Sequence, residues 1–120
     1  MSESAIVEVK PHAEAVWAVV RPRVLDDVAC SRMQSEVIEA ADARSNAAVI
    51  LDLTPVEYVP SLGLGALVSL HRQLRQKEHR LLLTGLHPDV RMTLAVTRLD
   101  KLFEIYPTFD DALNRIRETA

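Results

Sequence analysis

Few side chains in this chain of 120 residues could do chemistry, and their spacing narrows the options quickly. The four histidines, His12, His71, His79 and His87, form no His-x-x-x-His pair, and the single Cys30 cannot build a zinc cluster, so no metal is expected. Cys30 falls in an alanine-rich helical pattern, where an inert buried thiol is the ordinary outcome. Ser61 lacks the Gly-x-Ser-x-Gly elbow of a hydrolytic nucleophile. Asp52 interrupts an apolar run; it reads either as a carboxylate at a strand end or as a partner for the loop that follows. Gly63-Leu64-Gly65 begins like a dinucleotide fingerprint, but Val68 stands where the third glycine belongs, and there is no Gly-Lys-Ser/Thr, so no cofactor is expected.

Ser61 is the most informative position. It follows an apolar strand and stands at the start of a glycine-containing helix, where a phosphate would meet free amide donors and the positive end of the helix dipole. Phosphorylation adds about −1.5 to −2 charges, enough to dismantle an interface built on Val59, Leu62 and Leu64. The same position suits a plain helix cap contributing roughly 1 kcal/mol. The pattern leaves both readings open.

Composition bounds the rest. At 13.4 kDa there is room for one compact domain, since domains commonly run to roughly 100 to 150 residues. With 48% hydrophobic and 26% charged residues the chain should fold unaided. Aromatic residues make up only 4%, which leaves few platforms for stacking bases, and the net charge of −3 argues against a phosphate-backbone binder. One cysteine allows no intrachain disulfide, so the cytoplasm is the default compartment. The first ten residues lack a positive region followed by an apolar run, and no apolar stretch approaches the roughly 18 residues of a membrane span.

The elements that must position Ser61 are legible from periodicity. Residues 5–10 and 15–20 read as a hairpin joined by Pro11-His12-Ala13-Glu14. A helix is predicted over 27–43, capped by Asp26 or Asp27, with Val28, Ala29, Met33, Val37, Ile38 and Ala41 near helical spacing. Residues 47–53 form a nearly unbroken apolar run, the mark of a central strand covered on both faces. After the loop Tyr58-Val59-Pro60, a helix over 62–77 aligns Leu64, Leu67, Leu70 and Leu74 on one stripe, with Ser61 as its cap and Arg72, Gln73 and Gln76 opposite. A strand over 80–84 closes at Gly85, and a helix runs from Pro88 to about Leu99. A short strand over 102–106 and a last helix from Thr108 or Phe109 to about Thr119 complete an α/β rhythm.

The ordered blocks Val49-Ile50-Leu51-Asp52-Leu53-Thr54, Tyr58-Val59-x-Ser61-x-Gly63-Leu64-Gly65, Arg80-Leu81-Leu82-Leu83-Thr84-Gly85 and Leu99-Asp100-Lys101-Leu102-Phe103 resemble the STAS domain, specifically bacterial anti-sigma factor antagonists. Leu25-Asp26 matches the end of the family's Gly-x-Leu-Asp motif. The resemblance implies a small, mostly parallel sheet with an antiparallel N-terminal strand and helices packed on one side. It also implies partner switching, in which the unphosphorylated antagonist binds an anti-sigma factor that is a serine kinase and so frees a sigma factor, while a phosphatase resets the cycle. The phosphoacceptor then falls on Ser61, and partner binding on Asp26, Tyr58, Val59, Pro60, Ser61, Leu62, Gly63, Leu64 and Gly65. The implied protein is no enzyme, and its oligomeric state, monomer or weak dimer, is left open by the sequence. Two positions depart from the family: Pro60 replaces the usual Asp before the acceptor, and Arg23 replaces the glycine of Gly-x-Leu-Asp. Pro60 stiffens the loop by fixing its own φ and restricting Val59, a feature that favours the alternative of an unmodified scaffold subunit in a signalling or lipid-transport complex.

Overall fold

The apolar runs become five strands, and the periodic segments between them become four helices. The hairpin is β1 (Val7–Lys10) and β2 (Ala15–Val20), followed by α1 (Asp27–Asp42), β3 (Ala48–Asp52), α2 (Ser61–Gln76), β4 (Leu81–Thr84), α3 (Pro88–Val96), a 3-10 turn (Leu99–Lys101), β5 (Glu104–Tyr106) and α4 (Phe109–Glu118). This computed structural model describes residues 5–119; residues 1–4, on which the expectation of no leader partly rests, lie outside that range. Strand order follows chain order, with β1 antiparallel to β2 and every later pair parallel, as expected for right-handed crossovers through helices. The turn of the hairpin is held by Arg44, whose guanidinium donates to the carbonyls of His12, Ala13 and Ala15 at 2.7 to 2.8 Å.

The continuous apolar run of β3 is explained by burial on both faces. Val49 and Leu51 face one core with Met33, Val37, Leu67, Leu70, Leu74, Val90 and Leu94 from α1, α2 and α3. Ile50 points the other way, into a smaller cluster with Ala15, Leu82, Ala112 and Leu113 beneath α4. The expected one-sided packing therefore holds for three helices, while α4 covers the opposite face. Trp17 of β2 stacks on Phe109 there, with ring centroids 3.9 Å apart.

Element ends differ from the sequence reading in three informative places. Ser61 is the first residue of α2, and its cap is Pro60 in extended geometry (φ −66°, ψ 171°), which supplies no side-chain hydrogen bond. Val28 leaves the buried stripe of α1 and is 67% exposed. The third helix stops at Val96 because Arg98 turns left-handed (φ 63°), and a 3-10 turn begins only at Leu99, where the helix was expected to end. Among the described residues no helix is long and apolar enough to cross a membrane.

Candidate functional site

Parallel strands deliver their following loops to one end of the sheet, and the loops after β2 and β3 meet there. They are stitched backbone to backbone. The Glu57 and Tyr58 amides donate to the Arg23 carbonyl at 2.7 and 3.2 Å, and the Leu25 amide donates to the Tyr58 carbonyl at 3.1 Å, so Val24 and Tyr58 form a parallel bridge. The Arg23 guanidinium adds two 3.0 Å hydrogen bonds to the Glu57 carboxylate, which hold that carboxyl below its ordinary pKa. Both side chains are largely in water, so this pair directs geometry more than it stabilises.

Beneath the loops, Asp52 settles its two readings in favour of the loop. Its Oδ1 accepts from the Thr54 amide at 3.0 Å and from the Thr54 hydroxyl at 2.5 Å, shaping the exit from β3. Gly85, at φ +70°, lies directly against this pair; a Cβ there would collide with Thr54 Oγ1.

Of the residues expected to face a partner, the structure exposes Asp26, Tyr58, Ser61, Leu62 and Gly65, half-buries Pro60, and buries Val59, Gly63 and Leu64. Val59 and Gly63 support the loop from within: a Cβ on Gly63 would lie 2.8 Å from Val59 Cγ1 and 3.0 Å from the Leu25 carbonyl oxygen. Tyr58 (59%) and Leu62 (55%) are exposed, as are Val24 (43%) and Val28 at the start of α1. Val24 and Val28 belong to this end of the molecule and were missed as site residues. Helical spacing places Val28 in the apolar stripe of α1, and nothing local in the sequence marks Val24.

Between α1 and α2 lies an open groove of about 460 Å³, with Asp27, Cys30 and Gln34 on one side and Ser61, Leu62 and Gly65 on the other. The Ser61 hydroxyl has no hydrogen-bond partner among the described residues. The first helical hydrogen bond runs from the Leu64 amide to the Pro60 carbonyl, so the amides of Ser61, Leu62 and Gly63 lack helical acceptors. Cys30 is buried at the floor, its thiol donating to the Leu25 carbonyl at 3.4 Å, and burial together with Asp26 and Asp27 pushes its pKa up. This is the inert thiol expected. None of the four histidines lines this groove, and among the described residues no three metal-ligating side chains come together.

Asp26 caps α1 by accepting from the Ala29 amide at 3.0 Å. Asp26→Ala is expected to lower unfolding free energy by about 1 kcal/mol in urea titrations, the usual value of an N-cap acceptor. An unchanged midpoint would mean that the bond contributes nothing.

Comparison with known proteins converges on one family. The STAS domain model matches residues 8–112. An anti-sigma-B factor antagonist of Listeria monocytogenes is 33% identical over 70 residues, which span 58% of this chain and 61% of that relative. Among solved structures, an anti-sigma factor antagonist from Mycobacterium paratuberculosis superposes with a TM-score of 0.79 at 27% identity, covering 92% of each chain. An anti-sigma-factor antagonist (STAS) domain protein from Planctomyces limnophilus shares the fold with a TM-score of 0.78 at 20% identity, covering 92% of this chain and 97% of its own.

Proposed function

The chain belongs to the STAS domain family, and on that premise we propose that it acts as an anti-sigma factor antagonist switched at Ser61. In this reading the unmodified protein docks an anti-sigma factor that is also a serine kinase, and a sigma factor is released. The kinase transfers the γ-phosphoryl group of ATP to Ser61 Oγ, leaving ADP, and a phosphatase returns the hydroxyl by hydrolysis. The chain is thus a docking partner and a kinase substrate in the cytoplasm and performs no catalysis itself. The names of the Listeria and Mycobacterium relatives support the class of partner.

The observation that carries the reading is the state of Ser61: exposed, its hydroxyl without a hydrogen-bond partner among the described residues, and set at the start of a helix whose first amides lack helical acceptors. A phosphate at this position gains those amides and the helix dipole, while placing charge beside exposed Tyr58 and Leu62. Pro60 favours the second reading, a constitutive scaffold subunit, because it holds the loop rigid and offers no carboxylate to a kinase.

Intact mass of the protein recovered from its native host, with peptide mapping across residues 56–72, separates the two. Phosphate on Ser61 under some growth conditions is the expected result. Its absence under all of them, with a partner still bound, would overturn the switch and leave the scaffold.

A further inference from the structure

The connections that lead into α1 and α2 repeat one arrangement side by side. In each, an exposed apolar residue precedes the helix and a second follows four residues later in its first turn: Val24 and Val28 for α1, Tyr58 and Leu62 for α2. All four are between 43% and 67% exposed. The bridge between Val24 and Tyr58 sets the two halves in register, and directly paired residues present their side chains on one face. Asp27 and Ser61, the first residues of their helices, line opposite sides of the groove between them.

The fold does not call for these four side chains. None of them belongs to either apolar core; Leu25, Val56 and Val59 fill the space beneath the loops. Asp26 supplies the cap of α1, and backbone hydrogen bonds already join the two loops. A β-branched residue at the exposed position of Val28 is a poorer helix former than alanine. Single exposed apolar residues are ordinary, whereas four that converge around one groove form the kind of patch that marks a protein contact.

Charge decides what covers this patch. Asp26 and Asp27 stand on its α1 side, where the helix dipole accounts for their sign, while the Glu57 carboxylate is matched by Arg23. The unmatched charge of the patch is therefore negative. A second copy docked here about a two-fold axis would bring the same aspartates together across a contact from which water is leaving, and like charges so placed oppose association. A different protein, with an apolar face and a basic side chain opposite Asp27, meets no such penalty.

We infer that the docking surface has two halves, and that the anti-sigma factor covers both helix starts at once, burying Val24 and Val28 as well as Tyr58 and Leu62 and setting a lysine or arginine opposite Asp27. This rests on the reading of the chain as an antagonist switched at Ser61 and deepens it by naming the partner's face. The α2 half carries the switch. The α1 half is untouched by modification and supplies affinity of its own. With Asp27 already across the groove, a phosphate on Ser61 adds like charge to a surface whose other contacts are apolar.

The test is calorimetry of full-chain variants with the purified anti-sigma factor at low and high salt. Val24→Ser, Val28→Ser, Asp27→Asn and Ser61→Asp each replace an exposed side chain, so their urea midpoints stay near the parent's. Val24→Ser and Val28→Ser are each expected to weaken binding about tenfold, the worth of one valine buried in the contact. Asp27→Asn weakens it about threefold and flattens its salt dependence. Val96→Ser, which replaces a valine 77% exposed at the far end of α3, binds as the parent does. Val24 and Val28 variants with parental affinity, beside a Ser61→Asp that still binds weakly, would overturn the α1 half and leave the switch standing. Parental affinity in every variant, Ser61→Asp included, would overturn both. Sedimentation of the chain alone covers the other occupant: a dimer that Val28→Ser dissolves would assign the patch to a second copy and overturn the proposal.

Discussion

Ser61→Asp is expected to weaken binding to the anti-sigma factor by about 100-fold, whereas Ser61→Ala leaves it within about twofold, as measured by calorimetry with the purified partner. The alanine variant loses little because the Ser61 hydroxyl has no hydrogen-bond partner in the described chain. The aspartate variant changes the surface and not the fold: a carboxylate at the first residue of α2 meets the unpaired amides and positive dipole end, so the free protein is slightly stabilised. In a complex that same charge has to be desolvated beside exposed Tyr58 and Leu62, with Asp27 across the groove. Ser61→Asn separates charge from size, since it adds similar bulk without the carboxylate; the expected loss there is under about tenfold. Equal affinity in the Asp and Ala variants would remove Ser61 from the interface and with it the switch.

The parts of this arrangement that were legible in the sequence are those fixed by local chemistry. The unbroken apolar run in β3 announced a strand buried on both faces, and Ile50 facing α4 fulfils it. The family likeness suggested helices on one side only, and there the residues themselves were the better guide. Asp26 was readable as a cap because an acidic side chain three residues before a free amide has one obvious use. Ser61 misled for the same reason: it has the composition of a cap, but the restricted φ of Pro60 supplies the capping geometry one residue earlier. What stayed hidden was long range. The bridge between Val24 and Tyr58 and the Arg23–Glu57 pair join residues 34 apart in sequence, and no local rule connects them. Val59 and Leu64 were expected on the docking surface beside Ser61, whereas the structure buries both, Val59 beneath the stitched loops and Leu64 on the inner face of α2.

Alanine at Gly63 and at Gly65 should move stability in opposite directions, although only Leu64 separates the two glycines on α2. Alanine is favoured over glycine in a helix by about 1 kcal/mol, so propensity alone would make both substitutions stabilising. At Gly65 nothing lies within 4 Å of the added Cβ, and that gain should appear nearly whole, at about 0.5 to 1 kcal/mol in urea unfolding. At Gly63 the Cβ meets Val59 Cγ1 at 2.8 Å and the Leu25 carbonyl oxygen at 3.0 Å. The side chain has some freedom to turn away, but the carbonyl belongs to the loop stitched to Tyr58, and crowding of this kind costs about 1 to 3 kcal/mol, enough to outweigh propensity. Gly63 is therefore explained by the fold itself, while Gly65 weakens the helix without any return inside the chain. That return is expected in the complex, where a bare helix backbone beside Ser61 lets the partner approach closely. Gly65→Ala should unfold at higher urea yet bind the anti-sigma factor less tightly, a combination that lost folding cannot produce. A Gly65→Ala protein that gains stability and binds as well as the parent would show that the partner does not approach α2 at this turn.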